Sequence, residues 1–169
     1  MHKKKLLIVG GGNLCLQILQ ILAPRDTFHI YVASRNLEKT TGLCNLVRLG
    51  ALQLGVVSSI TPLEMELSDI SRTAASIAWI RPDIIVNCAT LQSWRIITEL
   101  PTPFFVALDQ AQFGPWLPMH LVPAYDLMRA VKQSGVRSVT INAAFPDTVN
   151  VVLDKVGMAP DVGDRKSVV

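Results

Sequence analysis

The sequence predicts a three-layer α/β fold, an open parallel sheet with helices on both faces. Three observations carry this. Short aliphatic runs alternate with stretches of helical period, as successive βαβ units do. The runs are nearly continuous in Val, Ile and Leu, as in Lys5–Val9 and Ile84–Cys88, which suits strands covered on both faces. Three glycines, Gly10-Gly11-Gly12, stand directly between the first run and the first helical stretch. Right-handed crossovers between parallel strands then send helices to both sides of the sheet.

Lys5–Val9 reads as the first strand. Asn13–Leu22 follows as a helix, with Leu14, Ile18, Leu19 and Leu22 near one face, and Ala23-Pro24-Arg25-Asp26 ends it. Phe28–Ala33 is a second strand. Asn36 is placed to cap a helix running to about Leu54, with Leu43, Leu46, Val47 and Leu54 expected inward. Ile60–Leu67 is a third strand, its apolar residues alternating with Glu64 and Glu66. Ser68-Asp69 opens a helix over Ile70–Ile80, which Arg81-Pro82-Asp83 stops. Ile84–Cys88 is the fourth strand. A helix starting at Trp116 or Ala124 runs to Ser134, with Gly135 as its C′ residue. Val136–Asn142 is the fifth strand. Between them lies Thr90–Pro123, with five prolines and the aromatics Trp94, Phe104, Phe105, Phe113 and Trp116. An irregular region of that length points to function or motion.

With 169 residues, half of them hydrophobic, and a mean hydropathy of +0.36, the chain fits one well-buried domain. The net charge of +3 and the lack of a basic stripe with interleaved aromatics argue against nucleic acid. The lysines before Leu6–Val9 read as a solvated lead into a strand, because the apolar run is too short for a leader. No run reaches the ~20 apolar residues of a membrane span. Cys15, Cys44 and Cys88 match no metal or CxxC spacing, so reduced, mostly buried thiols in a cytoplasmic protein are expected, with no metal.

Gly10 and Gly12 occupy the first two places of G-x-G-x-x-G, the dinucleotide fingerprint of the Rossmann fold. The first allows a tight turn and the second lets a pyrophosphate approach the backbone. The diphosphate would rest on free N–H groups at the helix start, those of Asn13 and Leu14. Cys15 takes the third place, which governs helix–strand packing. Where an NAD-specific site carries an acid at the end of strand two, this chain has Ala33-Ser34-Arg35-Asn36, and no carboxylate before Glu38. A hydroxyl and a guanidinium suit a 2′-phosphate, so NADP(H) is expected over NAD(H). Glu66 and Leu67 are candidates for the adenine amino group and ring face, and Cys88, Ala89 and Thr90 for the ribose and nicotinamide side. Cys88 itself reads as packing rather than chemistry.

Together, LLIVGGGNLC, YVASRN, MELSD, PDIIVNCAT and the late VTINAAFPDTVNVVLDKVGMAP resemble the NAD(P)-binding domain of the saccharopine dehydrogenase-like family, over most of residues 4–163. The resemblance implies hydride chemistry on an amino-acid-derived substrate, with a second, substrate-binding domain in the complete enzyme. On that reading residues 1–145 are the nucleotide domain and 146–169 begin the crossover to an absent domain, or form a tail. The ending DVGDRKSVV reads as a loop cut short. Cofactor binding with little turnover is then expected of these 169 residues.

Two other readings stay open. An extended short-chain dehydrogenase or epimerase shares this nucleotide domain. It would need Tyr-x-x-x-Lys with Ser or Thr after strand five; here Asn142-Ala143-Ala144-Phe145-Pro146 follows, and Tyr125…Arg129 only imitates the spacing. Tyr125 reads as helix packing. A non-catalytic NADP-binding sensor fits the lack of an evident acid, base or nucleophile. His29 reads as a satisfied strand histidine, and His120 lacks a carboxylate partner in the sequence. The aromatic region is a candidate surface for a homodimer.

Overall fold

Residues Lys4–Val9 form β1, whose side chains alternate between two separate apolar layers. Leu6 and Ile8 point to one face, Leu7 and Val9 to the other, and all four are buried. That two-sided burial is why the run carries no polar alternation. The computed structural model describes residues 3–93, 96, 99–111, 114, 116–144 and 147–163.

The elements follow as α1 (Asn13–Leu22), a 3₁₀ turn (Ala23–Arg25), β2 (Phe28–Ser34), α2 (Leu37–Gln53), β3 (Ile60–Glu64), α3 (Ile70–Ile80) and β4 (Ile84–Asn87). Then come α4 (Thr102–Gln110), α5 (Leu117–Ser134), β5 (Val139–Asn142), α6 (Thr148–Lys155) and β6 (Val162–Gly163). The six strands are parallel in the order β3-β2-β1-β4-β5-β6, the Rossmann arrangement. The registers Val9↔Ala33, Val9↔Asn87 and Asn87↔Asn142 bring the strand ends level at one edge. The order reverses between β1 and β4, which leaves a crevice there.

On one face, Cys15 and Leu19 of α1 and Cys44, Val47 and Ala51 of α2 pack on Leu6, Ile8, Ile30, Val32 and Val86. On the other, Ala74, Ile77 and Ile80 of α3 and Leu127 and Ala130 of α5 pack on Leu7, Val9, Tyr31, Ala33 and Ile85. The caps sit where the sequence puts them. The Asn36 side chain accepts from Lys39 N at 2.8 Å, that of Asp69 accepts from Arg72 N at 3.0 Å, and Gly135 closes α5 at φ 66°.

Several expectations change. In α2 the inward residues are Thr40, Cys44, Val47 and Ala51, while Leu46 and Leu54 are exposed. Leucines occur all round this helix, so periodicity alone picks no face; Leu43 packs against the core as expected, while Leu46, Leu49 and Leu52 point away from it. Leu14, at the open start of α1, is likewise exposed. β3 stops at Glu64, although Met65 and Leu67 remain buried beyond it. β4 ends at Asn87 and β5 starts at Val139, so both are shorter than expected. Part of the aromatic region is the helix α4, which carries Phe104 and Phe105, and Trp116 leads into α5. Trp94, Phe113, Phe145, Pro146 and the final residues 164–169 lie outside the described residues.

The structural unit extends past position 145. Val149 and Leu153 of α6 pack on Ala124 of α5, and β6 pairs with β5 through Ile141↔Val162 and Asn142↔Gly163. Buried amides reinforce this end: Asn87 Nδ2 donates to Asn142 Oδ1 at 2.8 Å, and Asn142 Nδ2 donates to Asn150 Oδ1 at 2.7 Å.

One carboxylate holds the last strand. Asp161 Oδ2 accepts from Thr140 N at 2.7 Å and from Thr140 Oγ1 at 2.8 Å, and these bonds hold its carboxyl below the usual range. A depressed carboxyl pKa contributes stability above the unfolded value of roughly 3.9, and loses it as pH falls through the folded value. The protection of the Thr140 amide against hydrogen exchange is therefore expected to drop at acid pH. At neutral pH, Asp161→Ala should lower it about tenfold, since charge-assisted hydrogen bonds are the stronger kind. Unchanged protection in the variant would show that β6 is held by other contacts.

Candidate functional site

The crevice at the β1/β4 switch is a cleft of about 270 Å³. Its walls are the glycine turn, the β2 end from Ala33 to Asn36, Lys39 of α2, Met65-Glu66-Leu67 after β3, Cys88–Leu91 after β4, and Pro123 of α5. Of the residues singled out in the sequence, Gly10, Gly12, Ser34, Arg35, Asn36, Glu66, Leu67, Cys88, Ala89 and Thr90 all line it. Asn13 and Leu14 stand in the first turn of α1, exposed and outside that lining.

Each glycine of the turn has its own reason. Gly10 adopts φ 108°, and a Cβ there would stand 2.7 Å from the Cys88 carbonyl carbon and oxygen and 2.8 Å from Ala89 N. Its N–H donates to Ala33 O at 2.8 Å, so the turn is wedged between the ends of β2 and β4. At Gly11 a Cβ would touch Ser34 Cβ and Thr40 Oγ1, both at 3.4 Å. At Gly12 a Cβ would meet nothing within 4 Å, which leaves open space before the helix. Gly12 is also the N-cap of α1 and supplies no side-chain cap, and no acid stands in the first turn. α2 and α3, by contrast, are capped by Asn36 and Asp69. An uncapped helix start facing open space favours an anion, through its free N–H groups and dipole. The turn therefore fits a diphosphate.

At the β2 end the side chains divide into two groups. The Ser34 hydroxyl is 2.6 Å from Thr40 Oγ1 and accepts from Asn36 N at 3.2 Å, while Thr40 Oγ1 donates to Asn36 O at 2.8 Å. Ser34 thus shapes the corner through local bonds. Arg35 is exposed and has no ion-pair partner among the described residues, and Lys39 brings a second exposed cation to the same wall. Sequence reading missed Lys39. Its signal was the Asn36 cap, which makes Lys39 the third residue of α2 and so places it beside the loop.

Glu66 is exposed, and its Oε1 accepts from Ser68 N at 3.3 Å. Leu67 is buried in the core beneath the cleft. Burial raises the carboxyl of Asp126 on α5, Arg129 offsets part of this, and the charge of Glu66 adds to it. The fold thus sets these two acids within electrostatic reach, which their separation in sequence hides. Thr90 Oγ1 donates to Gln92 O at 2.8 Å, and Leu91 N donates to Met119 O at 2.9 Å, which ties this wall to α5.

Sequence spacing separates the three cysteines, but the fold gathers them in one apolar cluster. Burial pushes the Cys88 thiol up to about 12. Burial does the same to Cys15, also to about 12, with Cys88 and Cys44 adding to the rise; Cys44 is raised as well. A thiol with that pKa is about 10⁻⁵ ionised at neutral pH, and the thiolate is the reactive form. Burial thus favours the neutral thiol of Cys88. A thiol reagent should leave Cys15 and Cys88 unlabelled in the native chain and label them after unfolding; rapid native labelling of either would contradict the buried cluster. Among the described residues no group of three His, Cys, Asp or Glu side chains can hold a metal ion, and no helix is long and apolar enough to cross a membrane.

His29 stacks on Tyr31 at 4.7 Å and lies 3.3 Å from Thr61 Oγ1, a satisfied histidine. His120 Nδ1 is buried without a partner, and burial lowers its pKa. Tyr125 is exposed rather than packed, with the Arg129 guanidinium 5.7 Å from its ring centre.

No family model matches the chain, and no curated protein matches it in sequence. Solved structures do share its fold. The apo malate dehydrogenase from Picrophilus torridus is 19% identical with a TM-score of 0.66, over 96% of this chain and 46% of that one. A lactate dehydrogenase from Cryptosporidium parvum, complexed with lactic acid and nicotinamide adenine dinucleotide, is 13% identical with a TM-score of 0.59, over 95% and 43%. The L-Glu-forming saccharopine dehydrogenase from Saccharomyces cerevisiae is 13% identical with a TM-score of 0.51, over 89% and 24%. At these identities the likeness shows the Rossmann fold alone. The chain spans less than half the length of each.

Proposed function

We propose that this chain is the NADP(H)-binding domain of an oxidoreductase, acting on an amino-acid-derived substrate once a second domain completes the cleft. One observation carries the reading. A cleft at the sheet's switch point joins an uncapped helix start, open at Gly12, to two exposed cations, Arg35 and Lys39. The first suits a diphosphate, and the second suits a 2′-phosphate. On this reading Glu66 accepts from the adenine amino group, and the Cys88–Thr90 wall meets the nicotinamide end. A bound nicotinamide supplies the hydride; the chain's own part is to hold and orient it. Residues beyond 145 belong to the same sheet and, on this reading, lead on toward the second domain.

Calorimetric titration with NADPH, NADP⁺, NADH and NAD⁺ tests the proposal. NADP(H) is expected to bind more tightly than NAD(H). Equal affinities would remove the 2′-phosphate reading, and no binding at all would remove the dinucleotide site.

A second reading is a non-catalytic NADP-binding module. It is favoured by the cleft's chemistry: of the acids and thiols that line it, Cys88 is held neutral and Glu66 is exposed near the adenine end. Cofactor oxidation by the intact gene product, assayed with imino and keto acids, separates the two. Turnover supports the enzyme, and binding without turnover supports the module.

A further inference from the structure

We propose that the outward face of α2 pairs with the same face of a second copy of this chain. A surface helix normally turns charged and polar residues to water. Between Lys39 and Glu64 the only charged residue is Arg48, and it is spent on neighbours: it donates to Asn45 Oδ1 at 2.7 Å and to the carbonyl of Ile60. The face is apolar instead. Leu46 is 61% exposed, Leu49 60%, Leu52 56%, and Leu54 and Val57 beyond the helix 69% and 80%. These side chains leave on the order of 500–600 Å² of apolar surface per copy, the top of the range for monomers.

Two glycines sharpen the inference. Gly42 and Gly50 have neither a positive φ nor any atom that a Cβ would meet within 4 Å. Nothing among the described residues requires them, and each costs about 1 kcal/mol against alanine in a helix. Gly42, Leu46, Leu49, Gly50 and Gln53 recur at three- and four-residue spacing, a single stripe in which the glycines are flat places beside leucines. Such a stripe lets two helices approach closely. A second copy fits because the stripe is uncharged, so two copies meet without repulsion, and it offers leucine and glycine places to itself in a two-fold pairing. Two such faces can bury up to about 1,000–1,200 Å², near the lower bound of specific interfaces. The alternative route, pairing through the β3 edge, is obstructed by Pro62, which has no N–H to donate.

Sedimentation velocity over a wide concentration range tests this on the whole chain. The wild type should pass from monomer to dimer. Leu46→Lys and Leu49→Lys should each raise the dimer dissociation constant about a hundredfold, since each places a charge in the centre of the face. Both sites are mostly exposed, so circular dichroism and nucleotide titration should be unchanged. A wild-type chain that stays monomeric throughout overturns the proposal and hands the face to a different partner. So does a dimer that folded Leu46→Lys and Leu49→Lys leave intact.

Discussion

Gly10→Ala will destabilise the domain by about 3–5 kcal/mol and abolish nucleotide binding with it. Two costs combine. Alanine at φ 108° adopts a backbone conformation that L side chains rarely take. Its methyl would also stand 2.7 Å from the Cys88 carbonyl, a main-chain group just after β4 that no side-chain rotation can clear. Relief requires β1 and β4 to part, and Cys88 N donates to Val9 O at 2.7 Å just there. Gly12→Ala is the control. Its φ of −89° is ordinary and its Cβ meets nothing, so the fold should hold within about 0.5 kcal/mol. The methyl would occupy the space a diphosphate needs, so affinity should still fall, about tenfold or more. Urea denaturation and calorimetry on both variants check the pair. A stable Gly10→Ala would mean that the turn relaxes easily. An unimpaired Gly12→Ala would move the diphosphate elsewhere.

The second large effect concerns cofactor choice. The double variant Arg35→Ala, Lys39→Ala should weaken NADPH binding roughly 10- to 100-fold, the range expected for losing one or two hydrogen bonds to a charged group. NADH, which lacks the 2′-phosphate, should bind within about twofold of its wild-type affinity. Both cations are exposed, so salt should also erode the NADPH preference proposed for the wild type. Ser34→Ala is expected to act differently. Its hydroxyl is engaged with Thr40 and Asn36, so its loss would disturb the corner and affect both nucleotides. Selective loss of NADPH in Ser34→Ala alone would return the 2′-phosphate to the serine.

What the sequence by itself determined here is local. The strands β1 to β5 and the helices α1, α2, α3 and α5 came from runs and periods of a few residues, whereas α4, α6 and β6 did not. The caps Asn36, Asp69 and Gly135 came from side-chain and backbone chemistry that acts within one turn. The glycine turn was legible for the same reason, because a strand end, three glycines and a helix start are adjacent in the chain. Tertiary structure decided what depends on neighbours far away in sequence. Gly10 needs to be glycine because of Cys88, 78 residues on by their numbering. Which face of α2 turns inward was settled by the space above β2 and β3, where Thr40, Cys44 and Ala51 fit, leaving Leu46 and Leu49 outside. Lys39 reaches the cleft wall, three scattered cysteines become one apolar cluster, and Asp161 finds Thr140 only after β6 has docked beside β5. Periodicity records that a residue is apolar or charged; which atoms stand opposite it depends on packing, and packing is a property of the whole folded chain.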